Sequence, residues 1–172
     1  MDKEGLRREL EACGAIRFGK FVLASGKESD YYIDMKKAMT VPSILKKIAG
    51  AMADMVKGAD RLAGMELGAI PLVTALALET NLPYLMVRKD RKGHGTQSQV
   101  EGEIHEGDKV VVVEDVTTTG KSPLKAVIAV REAGGVVDRV VVIVDRQEGA
   151  AELMEKEGVE FKALLLRDDI KS

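Results

Sequence analysis

From Arg61 onward the chain is built of short runs in which every position is apolar, each followed by a helical pattern. VVVV at 110–113 and VVVIV at 140–144 leave no polar position on either side of a strand. A strand with one wet face alternates apolar and polar residues, so these strands are covered on both faces, the condition of a parallel sheet flanked by helices. The other runs fit the same plan. LAGME (62–66), PYLMVR (83–88), KVVVVED (109–115), VVDRVVVIVD (136–145) and FKALLLR (161–167) read as strands. Between them, GAIPLVTALALETN with Pro71 in its first turn, the stretch from Pro123 to Ala133 ended by Gly134-Gly135, and EGAAELMEKEG read as helices. The fold class expected is α/β.

The first sixty residues follow another pattern. LRRELEAC is a short amphipathic helix with Leu6 and Leu10 inward, and IRFGKFVLASGKESDYYIDMKKAM reads as strands around a Ser-Gly-Lys turn. VPSILKKIAGAMADMVKG is a helix with Ile44, Ile48, Met52 and Met55 on one face. The expectation is one domain over 1–172, with 1–60 as a hood and first helices over one end of a core sheet formed by 61–172. The net charge of −2 and a pI near 5.8 argue against non-specific nucleic-acid binding. Cys13 is the single cysteine, which excludes an intrachain disulfide and fits a reducing compartment. No apolar run approaches the ~18 residues of a membrane span. Asp2, Lys3 and Glu4 do not resemble a signal peptide. A cytoplasmic protein is expected.

VVVVEDVTTTGKS (110–122) carries the chemistry. It ends in Gly-Lys-Ser after an apolar strand, as a P-loop does, but the glycine required five positions before Gly120 is Asp115. Glu114 and Asp115 stand where the strand ends, and ligands of parallel sheets sit at those ends. Thr117 to Ser122 leads into a helix, with Ser122 as the expected N-cap and Pro123 at the first helical position. Such a helix start, with glycine and hydroxyls, takes one phosphate. A polyphosphate running back past the two carboxylates would be repelled. The acidic pair suits a vicinal diol, whose hydroxyls donate to carboxylates, so diol and phosphate together describe a ribose 5-phosphate. A cation developing at the sugar's C1 would be stabilised by the same charges.

Two further places stand out. Arg146 ends an apolar run and suits the carbonyl or carboxylate of an anionic base, or else a salt bridge to Asp145 or Glu148. Lys89 to Asp108 is the one long stretch without a pattern, and loops of about twenty residues in compact domains are usually functional or disordered. It follows Arg88 and carries Lys89, Arg91 and Lys92, then Gly93-His94-Gly95. His105 reads as surface. No His/Cys cluster suggests zinc.

FVLASGKESDYYID, VRKDRKGHG, EDVTTTGKS and VDRQEGA, in this order, resemble the type I phosphoribosyltransferases. Among them the R-K-x-x-K-x-H-G loop resembles the orotate phosphoribosyltransferases; purine and uracil enzymes are not expected to carry it. The resemblance implies the type I phosphoribosyltransferase fold and transfer of the ribose 5-phosphate group of phosphoribosyl pyrophosphate (PRPP) to orotate. The products would be orotidine 5′-monophosphate and pyrophosphate, in pyrimidine (UMP) biosynthesis. It implies PRPP binding by Arg88, Lys89, Lys92 and His94 of the loop. Glu114, Asp115, Val116, Thr117, Thr118, Thr119, Gly120, Lys121 and Ser122 would bind PRPP at the strand end. Thr118 and Arg146 would meet orotate, and Lys92 and His94 would be catalytic, stabilising the departing pyrophosphate. Arg91 has no fixed role. Mg²⁺ is implied as a cofactor held mainly by substrate phosphates and water, with no dedicated protein ligands assigned. A homodimer sharing loop 88–108 across its interface is implied, with no nucleic-acid or membrane partner. A PRPP-sensing regulator is the competing class, and it would need a nucleic-acid-binding module and no Lys92 or His94. Ala24 and Leu67 stand where many relatives carry lysine. Tyr32 either covers the base or packs in the core.

Overall fold

The structure, a computed structural model, describes residues 2–22, 26, 28–90 and 98–171. The chain opens with α1 (Lys3–Ala12), whose Leu6 and Leu10 are buried. β1 (Ile16–Val22) and β2 (Glu28–Ile33) pair as an antiparallel hairpin, with Phe18 opposite Tyr31 and Arg17 opposite Tyr32. Two helices follow, α2 (Met35–Met39) and α3 (Pro42–Met52), and α3 tightens into a 3-10 turn at Ala53–Val56. The core then runs β3 (Arg61–Met65), α4 (Ile70–Thr80), β4 (Tyr84–Val87), β5 (Val100–Glu101), β6 (Lys109–Thr117), α5 (Lys121–Glu132), β7 (Val136–Asp145), α6 (Ala150–Lys156), β8 (Glu160–Leu166) and α7 (Arg167–Lys171).

Six strands form one sheet in the order β5-β4-β3-β6-β7-β8. All neighbours are parallel except β5, which runs antiparallel along the edge of β4. The all-valine runs occupy its centre and face both ways. Val111, Val113, Val141 and Ile143 join one apolar cluster with Ile48 and Met52 of α3 and Leu72 and Leu76 of α4. Val110, Val112, Val140 and Val142 join the other, with Val127 and Val130 of α5 and Met154 of α6. Full burial of each such side chain is worth about 1.5–3 kcal/mol, so the two layers of valine on both faces hold the sheet centre rigid. The edge of that rigid sheet is what positions the site.

The short elements depart from the sequence reading. MKKAM was expected to continue the strand region, yet α2 coils because Met35, Ala38 and Met39 then share one buried side. The 3-10 turn after α3 moves the buried position from Met55 to Val56. β5 pairs Val100 with Val87 inside the stretch read as patternless. At the far end the strand stops at Leu166, not Arg167. Asp169 accepts the Leu166 N–H at 2.9 Å and turns the chain into α7. The hood also divides: α3 packs on a sheet face beside α4, whereas the β1–β2 hairpin reaches the edge where β6 and β7 end. Among the described residues no helix is long and apolar enough to cross a membrane.

Candidate active site

The apolar run of β6 stops at Glu114, and the next residues are arranged by hydrogen bonds among themselves. Ser122 Oγ donates to Glu114 Oε2 at 2.8 Å, and the Asp115 N–H donates to Glu114 Oε1 at 3.2 Å. Val116 N–H donates to Asp115 Oδ1 at 2.8 Å. Thr117 is buried, and its Oγ1 accepts the Gly120 N–H at 3.2 Å, folding the threonine loop back on the strand end. Gly120 has φ +80°, and a Cβ there would lie 3.1 Å from Ala150 Cα, so only glycine fits. Thr118, Thr119 and Lys121 are exposed beyond it.

Helix α5 begins at Lys121 with Gly120 as its N-cap and no side-chain cap. This corrects the expected cap: Ser122 lies within the first turn, and its hydroxyl is spent on Glu114. Pro123 is tolerated there because first-turn N–H groups have no acceptor inside the helix. An uncapped helix start offers those N–H groups to an anion. The loop after β3 approaches from the other side. A Cβ at Gly68 would stand 3.1 Å from Asp115 Oδ2, so the backbone of that loop runs against the carboxylate. Glu66, in the same loop, accepts the Lys89 N–H at 2.8 Å. Arg88 and Lys89 at the end of β4 are thereby linked to the acidic pair through this loop. Leu67 is 77% exposed. Lys92 and His94, like Arg91 and Ala24, lie outside the described residues.

A cavity of about 1070 Å³ opens between the hairpin and the sheet edge. It is lined by Lys20, Phe21, Val22 and Glu28 to Tyr31 of the hood, by Thr118 and Thr119, by Arg146 and Glu148, and by Arg167 and Lys171. Arg146 is drawn in by its N–H, which donates to Thr117 O at 3.0 Å. Its Nε forms an ion pair with Glu148 Oε1 at 3.2 Å, one of the two salt bridges the sequence left open, though without a hydrogen bond. The guanidinium carbon stands 5.2 Å from the centre of the Tyr31 ring. Thr118 and Arg146, the two residues expected at the base, thus share one wall.

Tyr32 is not in that wall. It turns outward against Phe21, ring centres 5.6 Å apart, with Arg17 5.1 Å from its ring, and Tyr31 takes the cavity side. Adjacent strand residues face opposite ways, and nothing in DYYID says which tyrosine faces in. The sequence named Asp145 only as a possible salt-bridge partner of Arg146, and gave the cations of α7 no role. Asp145 is buried and accepts the Gln147 N–H at 2.9 Å, setting the turn that follows Arg146. His105 lies at the opposite end of β6, paired with Glu103 at 3.2 Å and Arg61 at 2.8 Å.

Burial and the neighbouring Asp115 charge push the Glu114 carboxyl up to about 7, although the Ser122 hydroxyl works the other way. Asp145 is raised as well, chiefly by burial. The site therefore keeps one carboxyl whose charge is poised to respond to a ligand, beside Asp115 and an anion-binding helix start.

Residues 36–163 match the phosphoribosyl transferase domain family. The orotate phosphoribosyltransferase of Methanocaldococcus jannaschii is 52% identical over 100% of this chain and 99% of its own length. Among solved structures, the orotate phosphoribosyltransferase of Mycobacterium tuberculosis in complex with PRPP superposes with a TM-score of 0.81 at 31% identity, covering both chains completely. The UMP synthase of Leishmania donovani superposes with a TM-score of 0.87 at 32% identity over 99% of this chain, which spans 37% of that longer protein. With a family model matched over residues 36–163 and a full-length relative at 52% identity, the chain belongs to the orotate phosphoribosyltransferase family.

Proposed function

We propose that this protein transfers the ribose 5-phosphate group of PRPP to orotate, releasing pyrophosphate and forming orotidine 5′-monophosphate. The observation that carries the reading is the junction of the Glu114–Asp115 pair with the uncapped start of α5, next to a cavity walled by Thr118 and Arg146. The 5-phosphate takes the N–H groups of the loop from Thr117 to Ser122 and the exposed hydroxyls of Thr118 and Thr119, and the ribose hydroxyls donate to the two carboxylates. As the C1–O bond to pyrophosphate breaks and a ring nitrogen of the base forms the new C1–N bond, positive charge grows at C1. The acidic pair stabilises it. Arg146, whose side chain lines the cavity, holds the anionic base, with Thr118 beside it. Arg88, Lys89, Lys92 and His94 take up the negative charge that accumulates on the leaving group, Lys92 foremost.

Among the described residues no three His, Cys, Asp or Glu side chains are grouped to hold a metal ion. The donors present fit a Mg²⁺ that arrives on its substrate, with Asp115 as the carboxylate that would hold it. When bound, the ion would supply charge neutralisation to the pyrophosphate. The reading also carries a cytoplasmic homodimer whose loop 88–108 reaches the neighbouring site. The decisive test is turnover of orotate with PRPP and Mg²⁺, run beside uracil, hypoxanthine and adenine. Orotate alone is expected to react, and turnover of another base in its place would overturn the assignment.

A further inference from the structure

We propose that Lys171, on the C-terminal helix α7, is a specificity-determining residue that selects a carboxylated pyrimidine over a neutral one. This rests on the reading of the cavity as the place where the base binds. β8 leads directly into α7, so the side chains of Arg167 and Lys171, one helical turn apart, fall on the same side of the helix. Both line the cavity. Lys171 Nζ stands 4.9 Å from the centre of the Tyr31 ring, and Arg146 Cζ stands 5.2 Å from the same ring.

One buried aromatic ring therefore gathers two cations from separate elements, Arg146 from the end of β7 and Lys171 from α7. Like charges collected this closely repel each other unless anions lie between them. Each has one acidic partner: Asp30 pairs with Lys171 at 2.9 Å and Glu148 with Arg146 at 3.2 Å. Lys20 and Arg167 add two more positive side chains to the lining and Glu28 one more acid, so the cavity has four cations against three carboxylates. A ligand with a carboxylate on its ring completes this arrangement, and a ligand without one leaves it unbalanced. Lys171 is 39% exposed at its side chain, free to swing from Asp30 to a ligand oxygen.

The competing explanation is mechanical. Helix α7 also clamps the chain ends together, because Lys3 bonds Asp169 at 2.9 Å outside the cavity. Three variants separate the two: Lys171→Met, Lys171→Arg and Lys3→Met, each assayed for turnover and for binding of orotate and uracil by calorimetry. Lys171→Met is expected to raise the orotate KM about tenfold with kcat and the PRPP KM within about twofold, as loss of one charge-assisted contact predicts. The orotate-to-uracil affinity ratio should fall by a similar factor. Lys171→Arg should recover most of it, and Lys3→Met should leave the ratio unchanged. Equal weakening of orotate and uracil, or the same loss in Lys3→Met, would overturn the proposal and leave α7 a clamp. A wild-type protein that does not turn over orotate overturns the function with it, whereas normal turnover with an unchanged KM in Lys171→Met overturns this proposal alone.

Discussion

Glu114 carries two opposed demands. It is buried at the end of a valine strand and stands next to Asp115, and both effects disfavour its charge. Its carboxyl is raised from 4.5 to about 7, so between those values the folded protein holds a proton that the unfolded chain has released. Stability must then fall as pH rises through that window and level off above it, by up to about 3 kcal/mol. Glu114→Gln removes the ionisation while keeping an acceptor for Ser122. Urea unfolding at pH 5 and pH 8 should show the wild type losing stability relative to Glu114→Gln, and parallel curves would count against the shift. The same residues are expected to be indispensable for turnover: Glu114→Gln combined with Asp115→Asn should abolish kcat while circular dichroism stays native. Near-normal turnover in the folded double variant would sink the diol assignment. This pair was legible because an apolar run cannot end in two acids without cost or purpose. Tyr31 and Lys171 were not, since facing direction and the meeting of distant segments are properties of the fold.

At the scale of elements, the long strands and helices were readable because their periodicity is sustained. VVDRVVVIVD corresponds to β7 residue for residue. α2, α7 and β5 are five, five and two residues long, too short for a period to show. The start of α5 was misplaced for another reason: Ser122-Pro123 has the side-chain signature of a helix start, but the backbone turn at Gly120 decides. That turn makes a prediction. Gly120→Ala forces an alanine into φ +80° with its Cβ 3.1 Å from Ala150 Cα. It should cost on the order of 1–3 kcal/mol in urea unfolding and weaken PRPP binding by calorimetry, because the threonine loop can no longer close on Thr117. Unaltered affinity would mean that the loop does not cradle the phosphate. The segment after β4 is tested separately. Lys92→Ala should lower kcat by far more than it raises the PRPP KM, the pattern of a contact that strengthens as pyrophosphate leaves. A raised KM at constant kcat would make Lys92 a ground-state ligand only.

At the scale of the whole molecule, the parts that surround the cavity come from both ends of the chain. The hairpin, the ends of β6 and β7, and α7 form its walls. Arg88 and Lys89, by contrast, leave β4 on the far side of the acidic pair, held by Glu66. The segment beginning there, closed at its base where the Arg88 N–H donates to Gln99 O at 2.7 Å, is the one proposed to serve a neighbouring subunit, and two-fold symmetry would place two such sites equivalently. The proposed homodimer is tested by mixing two inactive variants, Lys92→Ala and the Glu114→Gln/Asp115→Asn double, under conditions that exchange subunits. If each loop serves the opposite subunit, a mixed dimer has one site carrying both lesions and one carrying none. Random reassortment of an equal mixture makes half the dimers mixed, with half of their sites intact, so about a quarter of wild-type activity should return. If each loop serves its own subunit, every site keeps one lesion and activity stays at the level of the parents. Verified subunit exchange without recovery would refute the shared site, while the roles of Glu114, Asp115 and Arg146 within one chain would stand unchanged.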